Sequence, residues 1–159
     1  MDVKDIIEKL ELIPLPIEGG MYKQTYVGET TPDERPAGTV IYYLLSGEAF
    51  SHLHLLDADE VYHFYLGDPV ELYQLDDKGN MSMTILGQDI MNGQKLQENV
   101  SKGIWQGSRL VPGGKWTLLG TSMSPGYTDS GYTHGHREEL ISRFPQHEEI
   151  IRFITDTNH

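Results

Sequence analysis

Residues Val3, Ile6, Ile7 and Leu10 recur at the i, i+3, i+4, i+7 spacing of a helix with one apolar stripe, and Asp2, Lys4, Asp5, Glu8 and Lys9 fill its other side. The pattern predicts a helical segment over about 2–12, stopped by Pro14 and Pro16. From Tyr22 onward the period changes. Tyr22–Val27, Thr39–Leu45, Phe50–His54, Glu60–Leu66, Val70–Leu75, Met81–Leu86, Gln97–Val100, Trp105–Leu110 and Trp116–Ser122 are candidate strands, the clearest of them, such as Thr39–Leu45, rich in β-branched and aromatic residues. Turn formers separate them, as in Asp57-Ala58-Asp59, Gly67-Asp68-Pro69 and Pro112-Gly113-Gly114. Many short strands at this spacing predict an all-β sandwich or barrel rather than an α/β sheet. After Pro125-Gly126 the chain turns polar, and Arg137–Phe144 and His147–Ile154 read as two helical pieces broken by Pro145. No repeat, low-complexity tract or linker divides the sequence, so a single domain over 1–159 is expected, with the β region at about 20–127 and a helical tail at about 137–155.

Composition narrows the function classes. With 159 residues, 38% of them apolar, the chain can build one ordinary hydrophobic core. It contains no cysteine, which removes disulfides, thiolate metal ligands and a thiol nucleophile and fits a reducing compartment. The first residues show no basic stretch followed by an apolar one, and no run approaches the ~18 apolar residues of a membrane span, so a cytoplasmic protein is expected. Twelve basic residues against 24 acidic ones give a formal charge of −12, and the cations are scattered. Such a chain repels phosphate backbones and anionic bilayers, so neither nucleic acid nor membrane is an expected partner.

The stretch Gly47–Gly67 carries the candidate chemistry. Strand side chains alternate between faces, so His52 and His54 are expected to point the same way. Glu60 shares its face with Tyr62 and Phe64, and a tight turn at 55–59 would bring it beside the histidine pair. Two imidazoles and a carboxylate converging on one point suit a divalent metal ion held by His52, His54 and Glu60, or an acid–base pair made of His54 and Glu60. Ser51, Tyr62, Phe64, Trp105, Gln106 and Ser108 are the expected remaining lining of a ligand pocket. His63 and Tyr65 alternate to the opposite face. His134-Gly135-His136 has metal-binding residue types but lies in a Gly- and Ser-rich stretch, where a solvated loop is expected, and Gly19-Gly20 reads as a turn.

Gly47, His52-Leu53-His54, Glu60 and Gly67 resemble the first motif of the cupin superfamily, and Gln106 stands where the second motif carries a histidine. The chain is more closely similar to the stand-alone cupins called the cupin five family. The resemblance runs through Glu18-Gly19-Gly20, Gln24-Thr25-Tyr26, Ile41–Leu45, Ser51–His54, Asp59–Pro69, Gly103–Gln106, Ser124–Tyr127 and Arg137–Leu140. Leu55 replaces the arginine that the family usually places after the position of His54. The resemblance implies a cupin jelly-roll β-barrel with short terminal helices, a homodimer, and a small polar ligand such as a sugar phosphate or nucleotide sugar. If the protein is an enzyme, it implies isomerase or epimerase chemistry; a metal-dependent dioxygenase and a non-catalytic metabolite-binding module are the alternatives.

Overall fold

The sequence forms eleven strands and three α-helices in the computed structural model, which describes residues 1–156. Helix α1 (Val3–Lys9) opens the chain, its first turn capped by the Asp2 carboxylate, which accepts the Lys4 amide at 3.2 Å. The strands are β1 (Ile13–Pro14), β2 (Met21–Val27), β3 (Thr39–Ser46), β4 (Phe50–Leu56), β5 (Asp59–Gly67), β6 (Val70–Leu75), β7 (Met81–Leu86), β8 (Gln97–Val100), β9 (Trp105–Leu110), β10 (Trp116–Ser124) and β11 (Tyr132–His134). Helices α2 (Arg137–Arg143) and α3 (Glu148–Phe153) follow, separated by a single 3₁₀ turn at Pro145.

Two antiparallel sheets face each other. One runs β1-β2-β3-β10-β5-β8 and the other β11-β4-β9-β6-β7. From β3 to β6 successive strands alternate between the sheets, as they do again from β8 to β10, the jelly-roll arrangement. Among the described residues no strand pairing closes the two sheets into a barrel, so the expected barrel is a two-sheet jelly roll. The nine sequence-predicted strands are all present, with ends moved by at most two residues, and the N-terminal helix is shorter than expected.

The space between the sheets is filled by Leu45, Phe64, Val70, Leu72, Leu86, Val100, Leu110 and Leu119, all buried. Each outer face carries helices. Helix α1 lays Ile6 on Leu44 and Leu118 of the larger sheet. Leu140, Phe144, Ile151 and Ile154 of the C-terminal segment cover Leu53, Tyr73, Leu75 and Trp105 of the smaller sheet. This contact is close. A β-carbon at Gly107 would stand 2.9 Å from Ile154 Cδ1, so β9 carries glycine where the tail crosses it.

The tail is therefore part of the core. Ile151→Ala, at a fully buried position, is expected to cost about 2–4 kcal/mol in urea denaturation. Phe153→Ala, at a position 44% exposed, is expected to cost under about 1 kcal/mol, and equal effects of the two would contradict this packing.

Candidate functional site

Along the strands, the inward-facing residues change character. On β3 they run Leu45, Tyr43, Ile41, Thr39; on β5, Phe64, Tyr62, Glu60; on β10, Leu119, Thr121, Met123. The leucine and phenylalanine end is solid core. The other end leaves a cavity of about 510 Å³, within the range of small-molecule sites. Its remaining walls come from Tyr22 and Gln24 of β2, Leu56 of β4, the connecting segment 15–18, and Tyr127, Asp129 and Tyr132 beyond β10.

Segment 15–18 delivers the residue that the sequence reading missed. Glu18 lines the cavity, and its carboxylate accepts the Ser51 hydroxyl at 3.1 Å. The segment is pinned at several points. The His52 amide donates to the Glu18 carbonyl at 2.8 Å, and the Tyr43 hydroxyl donates to the Gly19 carbonyl at 2.6 Å. Gly19 and Gly20 have φ of +96° and +78°, and a β-carbon on Gly20 would meet the Tyr43 hydroxyl at 2.8 Å. Ile17, at the rim, also has φ of +71°, a strained value for a β-branched residue. Glu18 was legible only as the first letter of the family's Glu-Gly-Gly motif; read locally, those glycines signalled a turn.

A bulge in β4 decides which of its side chains reach the interior. Ser51 pairs with Ser108 and His54 with Gln106, so β4 has one residue more than β9 over this span. Alternation is broken, and His52 and His54 do not converge. His52 donates from Nε2 to the Gly135 carbonyl at 2.9 Å and accepts the Asp156 amide on Nδ1 at 3.2 Å. Its ring stacks on His134, with centroids 3.8 Å apart. His134 itself sits in β11, paired in register with His54, so the expected loop at 134–136 begins as a strand. His54 is buried and donates from Nδ1 to the His52 carbonyl at 2.6 Å; its Nε2 is 3.6 Å from Glu18 Oε1. Glu18, not His54, meets the cavity.

The other expected pocket residues divide. Glu60 and Tyr62 line the cavity. Phe64 lies deeper in the core. Gln106 stands behind Tyr62 and accepts its hydroxyl through Oε1. Ser108 is buried beside Ser51 without a hydrogen-bond partner for its hydroxyl among the described residues. Trp105 faces the opposite way, under the C-terminal helices, because it alternates with Gln106. His63 and Tyr65 lie on the outer face of the larger sheet, as expected, His63 within 3.1 Å of the Ser122 hydroxyl.

The expected metal triad does not assemble. Both ring nitrogens of His52 are engaged elsewhere, His54 spends Nδ1 on a carbonyl, and Gln106 is tied to Tyr62. Among the described residues, no group of three or more His, Asp or Glu side chains is arranged to hold a metal ion. These donors do not fit a resident divalent cation.

What the cavity holds instead is a pair of carboxyls, Glu60 buried and Glu18 half-buried. Burial pushes Glu60 up to about 7, with the Glu18 charge raising it further and His54 pulling it back. Burial also lifts Glu18 to about 7, against the hydrogen bond from Ser51. Burial lowers His54 below its ordinary value, against its hydrogen bond to the His52 carbonyl and the Glu60 charge. Tyr43 and Tyr62 are raised, first by burial and then by Glu18 and Glu60 respectively, and remain phenols. No Lys, Arg or His side chain lines the cavity among the described residues.

The chain matches, over residues 4–134, the family described as Cupin superfamily (DUF985). No curated protein matches the sequence. Among solved structures, protein SO0799 from Shewanella oneidensis is 32% identical, with a TM-score of 0.93 and 98% of each chain covered. A hypothetical protein from Leishmania major is 26% identical, with a TM-score of 0.90, 98% of this chain covered and 99% of that one. Oxalate decarboxylase from Bacillus subtilis shares the fold alone, at 12% identity and a TM-score of 0.58, with 91% of this chain and 37% of that chain covered.

A carboxyl whose folded pKa is raised gives stability that is fully present below its unfolded value near 4.5 and is lost as pH climbs to about 7. Glu60→Gln, which mimics the protonated acid, is therefore expected to match the parent at pH 4.5. At pH 8 it is expected to exceed the parent by up to about 3 kcal/mol in urea denaturation. A pH-independent difference between the two proteins would contradict the raised carboxyl.

Proposed function

The chain belongs to the DUF985 family of the cupin superfamily, and on that footing we propose that it binds a small polar metabolite between its sheets and moves a proton on it, as an isomerase or epimerase does. The observation that carries this reading is the pair Glu18 and Glu60, two carboxyls lining one cavity and both held near 7. Near neutral pH, a coupled pair of this kind carries about one proton between its members. The ionised carboxylate takes a proton from a carbon beside a carbonyl, and the protonated carboxyl returns one to oxygen or to the opposite face of that carbon. Phenol hydroxyls on the same wall can donate to the oxygen as it gains charge.

In this reading Glu60 and Glu18 are the catalytic residues and His54 is a positioning residue. With Nδ1–H committed to the His52 carbonyl, His54 presents Nε2 toward Glu18, 3.6 Å from Oε1. Ser51 fixes the other Glu18 oxygen at 3.1 Å. In this reading Glu18 takes the role that the sequence pattern suggested for His54.

Incubation in heavy water with a panel of aldoses and ketoses, followed by NMR, tests the proposal. Deuterium is expected on the carbon next to the carbonyl of the sugar that binds. Glu60→Gln and Glu18→Gln are each expected to lower the exchange rate by at least ~100-fold, the scale of general acid–base catalysis. Exchange that persists in the double variant, or bound sugars recovered undeuterated, would refute the assignment.

A further inference from the structure

We infer that the ligand of this cavity carries a positive charge, as an ammonium or quaternary ammonium group on a hydroxylated body. This rests on the reading that the cavity is the ligand site. Its walls carry three acidic side chains, Glu18, Glu60 and Asp129, and no cationic one among the described residues. Glu60 is 7% exposed, points into the cavity and has no ion-pair partner among the described residues. A carboxylate so deeply buried is ordinarily paired, because desolvating it alone costs several kcal/mol. A ligand cation would supply the missing partner.

The aromatic lining favours the same class. Five tyrosines, Tyr22, Tyr43, Tyr62, Tyr127 and Tyr132, border the space, and phenol faces attract ammonium groups through their ring quadrupoles. Gln24 and Thr121 offer hydrogen bonds to hydroxyls. A phosphate or carboxylate would find no guanidinium or ammonium here. Lys23 is held by Glu11 at 3.2 Å, Arg35 by Asp57 at 3.1 Å and Arg109 by Glu71 at 3.2 Å, and none lines the cavity. This departs from the phosphorylated or nucleotide sugar that the family resemblance implied.

Titration calorimetry in the presence of EDTA, with ligands matched in shape and differing in charge, tests the inference. Glucosamine is set against glucose and glucuronate, and choline against its uncharged isostere dimethylbutanol. The ammonium member of at least one pair is expected to bind at least about tenfold tighter than its neutral counterpart, with glucuronate and inorganic phosphate unbound. Glu60→Gln, shown to be folded by circular dichroism and thermal melting, is expected to lose that preference. Neutral or anionic probes that bind as tightly as the cations would overturn the inference, as would ammonium probes that do not bind at millimolar concentration. Exchange of an uncharged sugar that Glu60→Gln abolishes would overturn the charge assignment and leave the acid–base reading intact. Ammonium binding without exchange of any probe would do the reverse.

Discussion

One extra residue in β4 sets the geometry at both ends of the chain. Between Ser51 and His54 the strand falls out of step with β9, and the backbone groups released from that ladder are taken up by the terminal segments. The His52 amide holds the Glu18 carbonyl at 2.8 Å, the Leu53 amide holds the Ile154 carbonyl at 2.8 Å, and the Leu53 carbonyl accepts the Gly135 amide at 2.9 Å. Each bond contributes on the order of 1 kcal/mol, and the His52 carbonyl, the remaining group of the bulge, accepts from His54 Nδ1 at 2.6 Å. The same slip turns Ser51 and His54 inward, toward Glu18, and leaves His52 to stack on His134. Without it, strict alternation would send Ser51 outward, and Glu18 would lose a donor.

The cavity works against the stability of the fold that surrounds it. The same two sheets that bury leucine and phenylalanine at one end hold two acids at the other, with no countercharge among the described residues. Burial lifts both carboxyls to about 7, while the Ser51 hydroxyl donates to Glu18 at 3.1 Å. Local rules are broken in the same neighbourhood: Ile17 sits at a positive φ, and Ser108 buries a hydroxyl without a partner among the described residues. Such departures gather where a protein has been shaped for a task other than folding.

The fold was largely written in the spacing of apolar residues and turn formers, and period-two alternation is plain over 59–64 of β5. Glu60 and Tyr62 were placed correctly for that reason. Three things were hidden. Alternation could not reveal a bulge, so His52 was paired with His54 although an extra residue separates their directions. Glu18 lies in no strand, and its approach to the site depends on hydrogen bonds to residues about 25 to 35 positions away. The two-residue β1 and three-residue β11 are too short to show a period and exist only because a partner strand waits for them. Trp105 and Gln106 could not both line one pocket, since neighbours on a strand face opposite ways, and β9 obeys that rule.

Glu18 also reaches the site from a part of the chain that the sheets do not need. The stretch 15–18 is connecting backbone between β1 and β2, anchored by main-chain bonds, by Leu15 against the core and by the Ser51 hydroxyl on Glu18, while Pro16 and Ile17 are exposed. The exposed side chains of Pro16 and Ile17 take no part in the pairing of the strands. A lineage that keeps this scaffold could therefore change what it accepts by rewriting a few positions of one tether, which makes new specificity cheap to evolve and hard to read from overall fold similarity.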